Sequence, residues 1–279
     1  MPKRQKTCQQ WIDRFHADYL QRGSSEATWR GDYWKVLKAL PLDKPLTRDR
    51  LHELVIATEP NTKSRKRAVM VANAIARFAK IDYDGAPYRG RYSQFNSTKT
   101  RTLPDDATIA AIWYDIENPG YRWIYGMMAT YGLRDHECFR LDFKRLQSDS
   151  VVMVQEETKT GAREVWPYHP EWVDEFGLHR VTLPDVDLKR TNQSLGRSVS
   201  KYFRVYRPLP FVPYDLRHRW AVRAMEYGLD NALASKQMGH SLEIHNRIYQ
   251  RWIDRATQQK AYDSTINNPY RPKPPKSPK

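Results

Sequence analysis

Only two short stretches of the chain, 150–155 (SVVMVQ) and 164–168 (EVWPY), have strand character, with Thr158-Lys159-Thr160-Gly161 between them reading as a hairpin turn. The other apolar runs repeat at helical spacing. That pattern predicts a mainly α fold with one small β-sheet. In residues 7–22, Trp11, Ile12, Phe15, Tyr19 and Leu20 fall on one helical face, with Thr7 as cap. A second run, Ala27 to Leu40, stops at Pro41, and Thr47 caps a third that turns Leu51, Leu54 and Val55 inward. Thr62 to Ile81 forms the fourth, its core face carrying Val69, Ala72, Ala76 and the Phe78–Ala79 pair. Four helices without strands predict an all-α domain over 1–82.

Residues 83–100 hold glycine, proline and small polar residues without a sustained period, which predicts a basic linker carrying Arg89, Arg91 and Lys99. A second domain, mainly helical around the small sheet and therefore α+β, is expected over 101–263. Leu103-Pro104-Asp105-Asp106 suits a helix start, Pro119 begins a helix that ends at Gly132, and 191–206 is helical again. The end, 264–279, is rich in proline and lysine and is expected to be a disordered tail.

A net charge of +15 over 279 residues favours a polyanion as partner. Residues 1–100 hold twenty basic against ten acidic side chains, the rest 27 against 22, so the N-terminal third collects phosphate more strongly. The fourth helix opens with Lys63, Arg65, Lys66 and Arg67, cations where the helix dipole prefers anions. A solvated charged face would explain them, but the dipole conflict and the net charge of this domain point toward phosphate contact. The two cysteines, Cys8 and Cys138, are far apart and show no metal-ligand spacing. No apolar run approaches a membrane span, and a cytoplasmic protein, nucleoid-associated when on DNA, is expected.

Chemistry concentrates between Tyr214 and Tyr249. Tyr214 and Arg217 are one helical turn apart, Gly239-His240 follows a short helix, and Tyr249 ends the next run. Singly, each has a bland reading: Arg134 as an ion pair with Glu137, Lys159 as a turn lysine, His240 as a core or capping histidine, Tyr249 as a packing residue. Together, in a basic chain, they suit a metal-free phosphate site, because guanidinium groups grip phosphate oxygens in pairs.

The segments YGLRDHE, TKTGAR, YDLRHRWA, MGH and IYQRW, in that order, resemble the tyrosine recombinases of the phage integrase and Xer type. The resemblance covers roughly Leu103 to Tyr262, preceded by a helical domain like the family's core-binding domain. It implies that Arg134 and Arg217 hold the scissile phosphate and that Tyr249 attacks phosphorus, leaving a 3′-phosphotyrosyl bond. Lys159 would protonate the 5′-oxygen, His240 would hydrogen-bond the phosphate, and Glu137 would support Arg134. Tyr214 stands where the family has the histidine of H-x-x-R, and a phenol is a poor base near neutral pH. Activation of Tyr249 then falls to His240 or to the arginines.

The resemblance further implies duplex DNA held in a clamp by both domains, a homo-tetramer exchanging strands, and no metal, ATP or other cofactor. Residues 251–262 and the tail are candidate contacts between protomers, and a DNA-bending or directionality factor is an expected accessory partner. Integration or excision of a mobile element is the expected role. The alternatives are a non-catalytic DNA-binding relative, a type IB topoisomerase-like enzyme and a basic RNA-binding module.

Overall fold

The computed structural model describes residues 5–93, 102–155 and 161–272, which form two compact units, Met1–Lys99 and Thr100–Lys279. Lys99, Lys159 and the last residues of the tail lie outside the described residues.

In the first unit, α1 (Cys8–Gln21) opens with a capping box: the Gln10 amide donates to Thr7 Oγ1 and the Thr7 amide to Gln10 Oε1. That satisfies two amides that the first turn leaves without partners. The expected helix over 27–40 is instead an α-turn, a π-turn over Trp29–Trp34, and another α-turn ending at Leu37. In the widened turn the Trp29 and Tyr33 rings stack 5.5 Å apart, and Phe15 meets both edge-on. Thr47 caps α2 (Arg48–Ile56), and Thr62 caps α3 (Lys63–Ala79), which ends where Lys80 turns left-handed. Ile12, Phe15, Trp29, Leu37, Leu51, Val55, Ala72 and Ile75 meet in one core. Leu20, expected on the core face of α1, is 39% exposed.

The linker expectation needs correcting at its start. Residues 83–91 dock on the first unit: the Asn73 carboxamide oxygen accepts from the Gly85 amide, and Asn61 Oδ1 accepts from the Arg91 amide. Tyr88 also meets His52 edge-on at 4.6 Å. Tertiary hydrogen bonds replace the periodic apolar pattern there, which is why composition alone reads as linker.

In the second unit, Asp105 caps α4 (Asp106–Tyr114), and Asn118 with Pro119 starts α5 (Pro119–Tyr131). α5 is buried along most of its length and packs against α7 (Asp215–Glu226). Gly132 ends α5 in the left-handed region, and a Cβ there would come within 2.7 Å of the Trp220 ring. β1 (Val152–Val154) pairs antiparallel with β2 (Arg163–Val165); 166–168, expected in the second strand, lie outside it. α6 (Asn192–Lys201) runs into a π-turn, Tyr202–Tyr206. Three short helices follow α7: α8 (Asn231–Met238), α9 (Leu242–Tyr249) and α10 (Arg255–Ile266). α10 packs on α7 of its own chain, with Lys260 paired to Glu226 at 2.9 Å, so helix continues three residues past the expected start of the tail.

Among the described residues, no helix is long and apolar enough to cross a membrane.

Candidate active site

Two of the recognised segments are helix ends. In YGLRDHE, Gly132 is the left-handed C-cap of α5; in MGH, Gly239 is the left-handed C-cap of α8. Such an end leaves backbone carbonyls unpaired and carries the negative pole of the helix dipole. Arginines meet both. Arg217 Nη1 donates to Gly132 O at 2.6 Å, and its Nη2 donates to Met238 O. Arg163 Nε donates to Gln237 O at 2.7 Å, and Arg134 Nη2 reaches Gly239 O at 3.4 Å. Three successive carbonyls, 237 to 239, thus hold three guanidinium groups from three separate elements.

Glu137 lies at the back of this fan, fully buried. Its carboxylate accepts from Arg134 Nη1 at 2.6 Å and Arg163 Nη2 at 2.7 Å, and lies 3.9 Å from Arg217 Nη1. It also accepts the Arg134 backbone amide at 2.8 Å, which fixes the turn after α5. Burial pushes the carboxyl up, but Arg163, Arg217 and Arg134 outweigh it and bring it down to about 2. One carboxylate serves three cations. The cluster lies in a place largely shielded from water, and Arg217 Nε is buried with no hydrogen-bond partner.

Tyr249 ends α9 beside these arginines, 1% exposed. Burial raises its phenol well above the usual range; the nearby positive charges of Arg217 and Arg134 offset part of that rise. His240 lies 6.1 Å from it between ring centroids, and His245 4.7 Å. Burial first, then Arg217, His245, Arg134 and Arg163, lower the His240 imidazole to about 3; burial and Arg217 lower His245 to about 4. Both rings are therefore neutral near pH 7.

Tyr214 is set differently. It precedes α7, is 41% exposed, and meets His218 edge-on at 5.0 Å while hydrogen-bonding with Arg134. His218 turns toward Tyr249 and Trp252, with centroids 5.5 and 4.9 Å away. The fold therefore brings together Arg134, Glu137, Tyr214, Arg217, His240 and Tyr249, while Lys159 lies outside the described residues.

Two residues were missed from sequence. Arg163 shares the buried face of β2 with Val165, and a cation in phase with an apolar strand residue was the readable signal. His245 is one helical turn before Tyr249, a spacing that places both on one face.

The basic cluster of α3 divides. Arg65 is a correction: it is 6% exposed and spends its guanidinium on Thr58 Oγ1 and the carbonyls of Thr58, Ile56 and Tyr88. A side chain so engaged holds the turn before α3 and residues 83–91, and has no donor facing outward. Arg67 pairs with Asp32 at 2.9 Å. Lys63, Arg89 and Arg91 are exposed and Lys66 is half-buried; Lys63, Lys66, Arg67, Arg77 and Arg89 line one groove of about 490 Å³ with Met70 and Tyr92.

Residues 9–89 match the family model described as the XisA/XisC excisase second domain. The chain is 32% identical over 195 residues to Excisase A of Nostoc sp. (strain PCC 7120 / SAG 25.82 / UTEX 2576), covering 58% of this chain and 41% of that protein. It is 27% identical over 296 aligned residues to Excisase C of the same strain, covering 94% and 58%. The chain thus spans about half the length of these relatives. Among solved structures, XerH site-specific recombinase bound to a palindromic difH substrate aligns with TM-score 0.56 and 15% identity over 94% of this chain and 97% of that one. The Tn1549 transposon integrase in complex with a circular intermediate DNA aligns with TM-score 0.55 and 15% identity over 88% and 95%. At that identity the likeness is one of fold. Its sequence is similar to these excisases, its fold is that of the tyrosine recombinases, and the five ordered motif segments agree with both.

Proposed function

We propose that this chain is a site-specific DNA recombinase that cuts and rejoins duplex DNA through a 3′-phosphotyrosyl intermediate on Tyr249, excising or integrating a mobile element. The observation that carries this is the Arg134–Arg163–Arg217 fan, which shares one carboxylate beside a buried tyrosine. A phosphodiester is an anion that these cations attract, and guanidinium groups held by backbone carbonyls need no reorganisation as the pentacoordinate phosphorus forms. Tyr249 Oη bonds to phosphorus, the bond to the 5′-oxygen breaks, and Lys159 gives that oxygen its proton. The excisase names of the sequence relatives favour a mobile element.

In the same reading a homo-tetramer acts on paired sites, helped by an accessory bending or directionality factor. Both units grip the duplex, with Lys63, Lys66, Arg67, Arg89, Arg91 and Lys99 contacting phosphates. Arg65 is left out of that set because its donors are used internally.

One observation favours a second reading, a DNA-binding relative that does not cut. The Tyr249 side chain is buried in the free protein, so DNA must open the site before attack. One experiment separates the two. The chain is incubated with nicked duplexes from the DNA flanking its gene and run on a denaturing gel. A covalent adduct that vanishes in Tyr249→Phe is expected; DNA binding with no adduct at any flanking sequence would leave the non-cutting reading.

A further inference from the structure

His245 has no part in the roles assigned so far. It stands four residues before Tyr249 on α9, so the two side chains leave the same face, and both are buried. Its Nδ1 lies 3.0 Å from His240 Nε2. Its other ring nitrogen, Nε2, is buried and has no hydrogen-bond partner. A leucine would fill the same space without stranding a polar atom, so packing alone does not account for an imidazole here.

At two ring nitrogens 3.0 Å apart, one carries the hydrogen and the other the lone pair, so the contact sets both tautomers together. The charged groups facing the pair are Arg134 after α5, Arg163 on β2 and Arg217 on α7, with Glu137 behind them. Tyr214 on the α7 side is a phenol and leaves Tyr249 without the imidazole base expected at that position.

We propose that His245 is a positioning residue for proton transfer from Tyr249, holding His240 in one orientation and one tautomer so that His240 receives the phenol proton. The inference rests on the phosphotyrosyl reading. His240 Nε2 donates to His245 Nδ1, which leaves the lone pair of His240 Nδ1 for the incoming proton. As Tyr249 Oη bonds to phosphorus and the P–O5′ bond breaks, the phenol proton moves to His240 and the 5′-oxygen takes one from Lys159. The arginines suppress the basicity of His240 in the free protein, and the negative charge of a bound phosphodiester offsets them when DNA arrives.

Two measurements test this. In the chain carrying ¹⁵N-labelled histidine, His240 is expected as the single Nε2–H tautomer, becoming a mixture in His245→Leu. A single Nδ1–H form, or no change in the variant, overturns the proposal. On a nicked duplex, His245→Leu should slow adduct formation at least ~10-fold at unchanged DNA affinity, with His245→Asn, whose amide oxygen replaces Nδ1, recovering most of the rate. In a His240→Ala background the same change should cost less than ~2-fold, because its route runs through His240. An undiminished loss in that background makes His245 a structural residue. No adduct from the unaltered chain overturns the phosphotyrosyl reading and the proton-transfer role together, whereas an adduct indifferent to His245 overturns this inference alone.

Discussion

Asp106 and Glu137 both sit among arginines in the C-terminal unit, yet the arginines of the two clusters find different kinds of partner. Asp106 accepts from Arg219 at 3.0 Å through both oxygens, from Arg223 at 2.6 Å, and pairs with His169 at 3.0 Å. Arg219 Nη2 also donates to Glu226 at 2.9 Å; the fully buried Arg223 donates to Ala129 O and lies 4.7 Å over the Trp172 ring. Asp106 and Glu226 together answer Arg219, the fully buried Arg223 and Lys260, and the network ties α4 to α7. Around Glu137, one carboxylate faces three guanidinium groups, each of which also donates to a helix-end carbonyl. Buried arginine is therefore no mark of function by itself. What separates the two clusters is the kind of partner: side-chain carboxylates hold Arg219 and Arg223, whereas helix-end carbonyls share in holding Arg134, Arg163 and Arg217.

The sharpest break of this comparison is Asp106→Ala. It leaves Arg223 buried without its carboxylate and should cost about 3–5 kcal/mol in urea unfolding, with no recovery on adding phosphate. Recovery by phosphate would make that cluster an anion site too. Next comes Arg217→Ala, expected to slow adduct formation by about 10²–10³-fold, as loss of one preorganised donor does. Its cost in stability should be smaller than that of Asp106→Ala, and inorganic phosphate should raise the Tm of the unaltered chain but not of this variant. Equal phosphate stabilisation of both would remove Arg217 from the anion site.

The clusters should also part on acidification. An unfolded histidine titrates near ~6.5, and His240 and His245 are lowered on folding to about 3 and about 4. Their contribution to stability is complete above the unfolded value and is lost as pH falls toward the folded values. Asp106 is held far below the usual carboxylate range, so its contribution starts to fall only below ~3.9. Stability measured from pH 7 down to ~4.5 should therefore decline through the histidines, with a shallower decline in His245→Leu. The smallest expected effect is Gly239→Ala, about 1 kcal/mol for a side chain at φ +62°, read as a lower Tm. Adduct formation should fall with it, because Gly239 shapes the α8 end that holds the arginines.

Much of this was legible in residue order. The caps at Thr7, Thr47, Thr62 and Asp105 stand where local hydrogen-bonding chemistry puts them, and β1 and β2 pair as the two strand-like runs suggest. The glycines of YGLR and MGH could be read as helix ends; that both ends feed carbonyls to one set of arginines could not. Arg65 shows the limit most plainly. Among four neighbouring cations it looks like the others, and only its contacts with Thr58 and with Tyr88, 23 residues away, show it to be internal.

By itself the sequence determined the main helices and their N-caps, the small sheet and the resemblance to the tyrosine recombinases, because propensity, capping and spacing act over a few residues. The tertiary structure decided which cations are spent as internal braces and which gather beside Tyr249. It buried Arg65, paired Arg219 and Arg223 with Asp106, added Arg163 to the fan and set His245 against His240. Desolvation and pairing depend on atoms brought together from distant parts of the chain, and a count of charges along the chain carries neither quantity.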